Sequence, residues 1–444
     1  MSEVKMEHNK MEPKPEAPTS SLFKFLIYSL IGVLVFFIPL TINGNSTIIL
    51  DHIVTWISTS FPTAVPYYAL LIIIAGAVYP FVSRKWNTSI VELVFSIFKV
   101  LGVVATVMIV FEVGPSWLML PNMGPFLLEK LVIPVGLLVP IGAVFLALLV
   151  GYGLLEFLGV LMQRVMRPVW KTPGRSAVDA VASFVGSYSI GLLITNRVFK
   201  EGKYTEKEAA IIATGFSTVS VTFMIVIAKT LGLMDVWNLY FWLTLVVTFL
   251  VTAITVRIWP LNKLSNNYYT EEGEPEVIVK KNIVQNAWKS AMITAENSPS
   301  LGKNIFMNFK DGLIMTMSIL PSIMSVGLLG LVLAEFTPFF DVVGYIFYPF
   351  TWALQLPEPL LAAKAASVEI AEMFLPALLV VEAPLVTKFV TAVVSVSAIL
   401  FFSASIPCIL STDIPISIKN LLIIWFERTV LTLIIVTPLA FLLL

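Results

Sequence analysis

Two apolar stretches of this chain are interrupted by polar residues at positions where a membrane-spanning helix would be continuous. The first stretch, residues 176–230, is broken at 184–189 (FVGSYS) and again at 214–220 (TGFSTVS). Non-helical backbone is tolerated at membrane depth only where protein or a water-filled cavity covers it. Paired interruptions in the two halves of a chain indicate the binding site of a transporter. Residues 357–407 are the predicted partner of the first stretch.

Composition places the chain in a membrane and excludes several classes of activity. Of its 444 residues, 58% are hydrophobic and 13% are charged, against about 25% charged in soluble domains. The formal net charge of +0 argues against a nucleic-acid partner. One cysteine (Cys408) and two histidines leave no basis for a metal site or a catalytic set, so we predict no enzyme and no resident cofactor. Because no P-loop motif is present, uphill transport would need an ion gradient or a partner.

Long apolar runs predict ordinary spans at about 22–42, 64–82, 90–113, 132–154, 236–258, 312–333 and 418–442. Residues 1–21 form a polar tail that we expect to be disordered. Basic residues cluster in that tail, at Arg84-Lys85 and between Arg164 and Arg175. By the positive-inside rule these clusters predict a cytoplasmic N-terminus.

The order of elements predicts an internal repeat. Residues 132–260 and 311–444 each read as a span, a surface helix, a hairpin, a broken helix and a closing span. The N-terminal spans, 22–131, form the predicted scaffold, and the polar segment 261–310 is a cytoplasmic connector. The charge distribution places the two copies in opposite orientations, which predicts an inverted repeat in an all-α membrane protein.

The run VGSYSIGLLITNRVFKEGKYTEKEAAIIATGFSTVSVTFM, residues 185–224, resembles the nucleoside-recognition (Gate) domain of YjiH-type bacterial inner-membrane proteins. The resemblance extends over 132–444 as two Gate copies and, more distantly, to the concentrative nucleoside transporters. It implies a scaffold and a transport domain with two oppositely facing re-entrant hairpins and two unwound helices. It also implies coupling to Na⁺ or H⁺ and a nucleoside-like solute, with an amino acid or small peptide as the competing substrate.

Polar residues at the two hairpin tips and the first break are the predicted solute-binding residues. Arg175, Asp179, Ser183 and Ser187 recur every fourth residue, so a helix would place them on one face leading to the tip. The structural alternative is packing of the serines, with Asp179 paired to Arg175. The predicted set is Ser183, Gly186, Ser187, Tyr188, Ser189, Ser217, Thr218, Ser367, Glu369 and Glu372.

Small polar residues at the two helix breaks are the predicted ion-binding residues, because unwound carbonyls and hydroxyls there could hold a cation. The alternative is that these hydroxyls are interhelical contacts worth about 0.6 kcal/mol each. The predicted set is Thr214, Gly215, Ser220, Ser395 and Ser397.

The charged residues of the second half have both functional and structural interpretations. Glu369 and Glu372 share a helix face, and a carboxylate at membrane depth costs about 2.5–3.5 kcal/mol, so each needs a partner, a proton or a cavity. Lys364 is the predicted partner, and a position at the outer surface in water is the alternative. Glu427-Arg428 is the predicted structural ion pair. Aromatic residues are predicted as membrane-interface anchors, namely Trp237, Tyr240, Trp242 and Trp425.

The sequence therefore predicts a secondary transporter of a small polar solute in the bacterial inner membrane, with the lipid bilayer as its environment. The sequence is also compatible with a homo-oligomer. The rival hypothesis is a non-transporting assembly or morphogenesis protein of the same family, in which the hairpins only pack.

Overall fold

Helices form nearly all of the secondary structure in the residues that the computed structural model describes, which are 19–42, 45–84, 86–87, 90–185, 188–271, 273–279 and 281–444. Among these residues, six helices are long and apolar enough to cross a bilayer. They are Ala64–Val82, Leu93–Val110, Gly124–Val150, Met234–Thr255, Leu301–Phe336 and Ile418–Leu443. The chain is a multi-pass α-helical membrane protein.

The N-terminal part contains four helices and a small β-hairpin. The elements are α1 (residues 19–37, with a π-helical turn at Lys24–Tyr28), β1 (Pro39–Ile42), β2 (Asn45–Ile48), α2 (Ile49–Ser60), α3 (Ala64–Val82) and α4 (Ile90–Val110). The prediction that the first span reaches residue 42 is wrong. Pro39 cannot donate to a helix and disfavours helical backbone at Ile38, which is extended (φ −98, ψ 109).

The first repeat begins with a long helix and ends with another. Its elements are α5 (Gly124–Val150), α6 (Leu154–Trp170), α7 (Ser176–Val185), α8 (Tyr188–Lys200), α9 (Glu206–Gly215), α10 (Val221–Leu231) and α11 (Trp237–Thr255). Helices α7 and α8 form the first hairpin. With 10 and 13 residues they extend about 15 and 20 Å, too short for a hydrocarbon core of about 30 Å. A capping box of Thr205 and Glu208 starts α9.

The second repeat follows a connector that contains α12 (Ile283–Asn297), which packs against α6. Its elements are α13 (Leu301–Phe336), α14 (Phe339–Gly344), α15 (Tyr348–Ala353), α16 (Pro359–Val368), α17 (Leu375–Leu379), α18 (Leu385–Ser397), α19 (Ser405–Leu410) and α20 (Ile418–Leu443). Helix α13 starts at Leu301, inside the segment predicted as connector, and continues through Pro321.

Two helices are broken, one in each repeat. The first break, residues 216–220, separates α9 from α10, and the second break, residues 398–404, separates α18 from α19. The first tip lies between the end of α7 at Val185 and the start of α8 at Tyr188, and the second tip is Glu369–Phe374 between α16 and α17. Both segments that were predicted to be repeats thus contain a hairpin followed by a broken helix, in the predicted order.

Contacts at the base of the first hairpin show which elements share one end of the bundle. The backbone N–H of Asp413, just beyond α19, donates to the side chain of Asn196 in α8 at 3.0 Å. At the centre, α20 packs against α18 and α11, and α13 packs against α3, α4 and α5. The base of the first hairpin therefore lies beside the far end of the second broken helix. The inverted orientation of the two repeats stays a prediction.

Candidate functional site

A cavity of about 170 Å³ lies where the two hairpin tips and the two helix breaks meet. Each of the four elements contributes lining residues, together with α2 and α5. The lining includes Tyr188 and Ser189 from the first hairpin, Val219 and Ser220 from the first break, Glu372 and Met373 from the second tip, and Phe401 from the second break. Four predicted solute- or ion-binding residues (Tyr188, Ser189, Ser220 and Glu372) thus line a single space.

Glu372 supplies the carboxylate that the second tip contributes to this cavity. Its side chain is 1% exposed, and its Oε2 accepts from the backbone N–H groups of Phe374 (2.6 Å) and Leu375 (3.1 Å). Its Oε1 has no hydrogen-bond partner among the described residues. One oxygen therefore fixes the side chain at the start of α17, and the other is an acceptor available to a bound solute.

The rest of the second tip is held by the elements around it. The backbone N–H groups of Phe402 and Ser403 donate to the carbonyls of Ile370 (2.6 Å) and Ala371 (2.8 Å), which joins the second tip to the second break. Glu369 is fully buried, and its Oε2 accepts from the indole N–H of Trp425 at 2.5 Å. The second tip and the second break therefore form one connected unit.

Two predictions and one alternative for this region are wrong. Glu369 and Glu372 are buried, so neither lies at the outer surface in water. Lys364 forms its ion pair with Asp341 (2.5 Å) and is not the partner of the two glutamates. Trp425 is 6% exposed and Tyr240 is fully buried, so these two rings are not interface anchors. Aromatic rings anchor a helix only when they face lipid headgroups, and both of these face the protein interior.

The first break presents hydroxyl groups without partners. Ser217 and Thr218 are 2% and 1% exposed, and neither hydroxyl has a hydrogen-bond partner among the described residues. The hydroxyl of Tyr188, at the start of α8, is also without one. Ser220 is bound differently, because it caps α10 by accepting from the N–H of Phe223 at 3.3 Å. The break is thus a cluster of donors and acceptors next to the cavity.

The other predicted ion-binding residues have partners within the helices. Thr214 and Ser395 donate to the carbonyls one turn earlier, at Ala210 (2.7 Å) and Thr391 (3.0 Å). The Gly215 carbonyl accepts from the hydroxyl of Thr252 in α11 (2.9 Å). A Cβ atom at Gly215 would lie 2.4 Å from Cγ2 of Thr252, so glycine permits this close approach. The Ser397 hydroxyl lies 2.9 Å from that of Thr432.

Asp179 stabilises the first hairpin from inside. Its two oxygens accept from the hydroxyls of Thr195 in α8 and Tyr204, both at 2.7 Å. The ion pair with Arg175, the structural alternative, does not form among the described residues. Ser183 is buried against Gly191 between the two arms, since a Cβ atom at Gly191 would lie 1.7 Å from the Ser183 Oγ.

The remaining predicted solute-binding residues are Ser367, Gly186 and Ser187. Ser367 donates to the backbone carbonyls of Phe340 (2.9 Å) and Lys364 (2.8 Å), away from the cavity. Gly186 and Ser187 lie outside the described residues.

Sequence reasoning missed the role of Arg428. The predicted pair with Glu427 does not form among the described residues. Instead the fully buried Arg428 donates from Nε to the Ser397 carbonyl (2.9 Å) and from Nη1 to the Thr252 hydroxyl (2.9 Å). An arginine at the centre of a spanning helix costs about 2.5–3.5 kcal/mol and by default indicates function. That rule was the signal that could have identified it.

The fold and the cavity define the class of this protein, which is a multi-pass helical membrane protein with two hairpins and two broken helices. Residues 132–234 match the Gate family, described as "Nucleoside recognition". The chain is 34% identical to "Uncharacterized protein BpOF4_10220" of Alkalihalophilus pseudofirmus, over 96% of this chain and 95% of that protein. The chain belongs to the family of that protein.

Two solved structures also match. One structure of CNTnw in an outward-facing state has 13% identity and a TM-score of 0.47, over 96% of this chain and 99% of that chain. A second CNTnw structure in an outward-facing state has 14% identity and a TM-score of 0.46 over the same shares.

Proposed function

We propose that this protein is a secondary transporter of a small polar solute in the bacterial inner membrane, with its N-terminus in the cytoplasm. The observation that carries the proposal is the cavity that both hairpin tips and both helix breaks line together. Passive packing would not require these four interrupted elements to meet at a space with an unpartnered carboxylate oxygen. The description of the Gate family favours a nucleoside-like solute, with an amino acid or small peptide as the competitor.

The chemistry of the cavity suits a solute with hydroxyl or amine donors. Glu372 Oε1 can accept from such a donor, and the Tyr188 hydroxyl can donate or accept. The aromatic rings of Phe223 and Phe401 also line the cavity and could cover the face of a planar ring. At about 170 Å³ the cavity is smaller than the roughly 300–1,000 Å³ of drug-sized ligand sites, so a nucleoside would require it to widen.

Polar contacts close the end of the bundle at the base of the first hairpin. Arg197 in α8 pairs with Asp311 in α13 at 2.8 Å, and Lys200 approaches Asp413 at 3.7 Å. Partly exposed ion pairs of this kind contribute about 0–1 kcal/mol each, so they can break and reform during a cycle. Asp51 and Lys130 also line the cavity. This arrangement supports alternating access by movement of the hairpins against the N-terminal spans.

An ion gradient, of Na⁺ or H⁺, would drive the transport. The test is uptake of labelled uridine, adenosine, amino acids and dipeptides into proteoliposomes, each with a Na⁺ gradient, an H⁺ gradient or neither. We expect gradient-dependent uptake of one solute class, and none in protein-free liposomes. Folded protein that moves no solute of the panel under any gradient would contradict transport and favour the assembly role.

A further inference from the structure

Arg428 lies fully buried in α20 without an ion-pair partner among the described residues. Its donors go to neutral oxygens: the Ser397 carbonyl at 2.9 Å, the Thr252 hydroxyl at 2.9 Å and the Thr248 carbonyl at 3.4 Å. Buried charges are normally paired with an opposite charge or coordinated by a metal. Oxygens of the backbone and of a hydroxyl accept its hydrogen bonds instead, and Glu369 adds an electrostatic attraction without forming an ion pair.

These oxygens connect the guanidinium to both helix breaks. Ser397 is the last residue of α18, immediately before the second break. Thr252 in turn donates to the carbonyl of Gly215, which is the last residue of α9, immediately before the first break. Since the C-terminal end of a helix carries a partial negative charge, two such ends stabilise the positive charge of Arg428.

In transporters with broken helices, unwound carbonyls and half-helix C-terminal ends hold the coupling cation. We propose that Arg428 is a permanent internal cation that occupies this place between α9 and α18, so that Na⁺ is not bound there. It is a positioning residue, because it fixes the ends of both breaks and does not line the cavity. The consequence for coupling rests on the transport function proposed above. Of the two candidate coupling ions, Na⁺ and H⁺, the inference favours H⁺.

The first experiment uses the wild-type protein and needs no transport. The melting temperature of the purified full chain in detergent is measured while NaCl replaces choline chloride at constant ionic strength. We expect no saturable shift. A saturable rise of the melting temperature with Na⁺ would overturn the proposal.

The second experiment removes the guanidinium. Arg428→Ala leaves the carbonyls of Ser397 and Thr248 and the hydroxyl of Thr252 facing a space that a cation can enter. We expect Na⁺ to raise the melting temperature of this variant but not of the wild type, which a merely structural loss would not produce. If the variant does not fold, Arg428→Lys, which keeps the charge, replaces it in the uptake assay, where we expect part of the activity to remain.

The matched control is Arg257→Met, to be compared with Arg428→Met. Arg257 also donates to backbone carbonyls, of Val169 at 2.6 Å and Pro168 at 2.7 Å, but it is exposed at the end of α11. We expect uptake to fall about tenfold or more for Arg428→Met and to stay near the wild-type rate for Arg257→Met. Uptake by Arg428→Met at the wild-type rate would overturn the inference. If the wild type moves no solute in either salt, the proposed function fails, and the melting experiment still decides the role of Arg428.

Discussion

The two tip-and-break regions differ in how their polar groups are used. In the second region, two backbone hydrogen bonds join tip to break, and Trp425 holds Glu369. In the first region, the buried hydroxyls of Ser217, Thr218 and Tyr188 have no partner among the described residues. The second region is anchored and supplies carboxylates, together with the buried Ser403 hydroxyl, which also has no partner among the described residues. The first region supplies neutral hydroxyls.

This difference indicates that the two regions contribute differently to solute binding at the cavity. A buried polar group left unsatisfied costs about 1–3 kcal/mol, so the hydroxyls of the first region require water or a solute. Glu372 in the second region is already fixed by two backbone N–H groups before any solute binds. The second region thus presents an oriented acceptor, and the first region gains hydrogen bonds only when the site is filled. Three substitution experiments test the contrast.

The largest expected effect separates the two glutamates of the second tip. Glu372→Gln keeps an acceptor for the N–H groups of Phe374 and Leu375 but removes the charge at the cavity. We expect solute uptake to fall about 10- to 150-fold, since hydrogen bonds to charged groups contribute about 1.5–3 kcal/mol. The control is Glu369→Gln, whose side chain still accepts from Trp425, with uptake within about threefold of the wild type. Equal losses in the two variants would contradict the distinction.

The next effect tests close packing at the first break. In Gly215→Ala, the new methyl group would lie 2.4 Å from Cγ2 of Thr252. We expect the free energy of unfolding to decrease by about 1–3 kcal/mol, as overpacking does elsewhere. Adding Thr252→Ser removes that methyl group, keeps the hydroxyl and should restore most of the loss. Gly302→Ala is the control, because nothing lies within 4 Å of a Cβ atom there. Failure of the double variant to recover would show that the contact is not the cause.

The smallest expected effect is the change in the free energy of unfolding when single hydroxyls are removed from the two regions. Ser217→Ala and Thr218→Val remove hydroxyls without partners. We expect the free energy of unfolding not to decrease, because an unsatisfied buried hydroxyl already costs the folded state about 1–3 kcal/mol. Ser397→Ala breaks the 2.9 Å contact with Thr432 and should cost about 0.6–1.7 kcal/mol. Titration with SDS from a mild detergent measures all three. A larger loss at Ser217 than at Ser397 would reverse the comparison.

The sequence predicted the first hairpin and the first break well because each contains a glycine. Gly215 ends α9, and the first tip contains Gly186. The second break has no glycine and lies at 398–404, just beyond the predicted Ser395–Ser397. Ser395 continues the helix by donating to the carbonyl of Thr391, and a serine that does this carries no signal of a break.

Pairwise partners were harder to predict than elements. Lys364 lies near Glu369 in sequence, yet it pairs with Asp341 in α14, two helices earlier. Glu427 and Arg428 are adjacent, but consecutive residues on a helix point about 100° apart, so Arg428 faces Ser397 and Thr252 instead. Burial in the interior depends on contacts between distant segments, which one sequence does not specify.

The most direct test of the central claim is whether a solute protects the cavity from labelling. Cys408, the single cysteine, is replaced by alanine, and Ser220→Cys then places one thiol at the cavity. We expect a membrane-impermeant thiol reagent added from outside to label this position, and the transported solute to slow the labelling. Thr230→Cys, near the other end of α10, should be labelled at one rate with or without solute. A Ser220→Cys protein whose labelling the transported solute leaves unchanged would contradict the account.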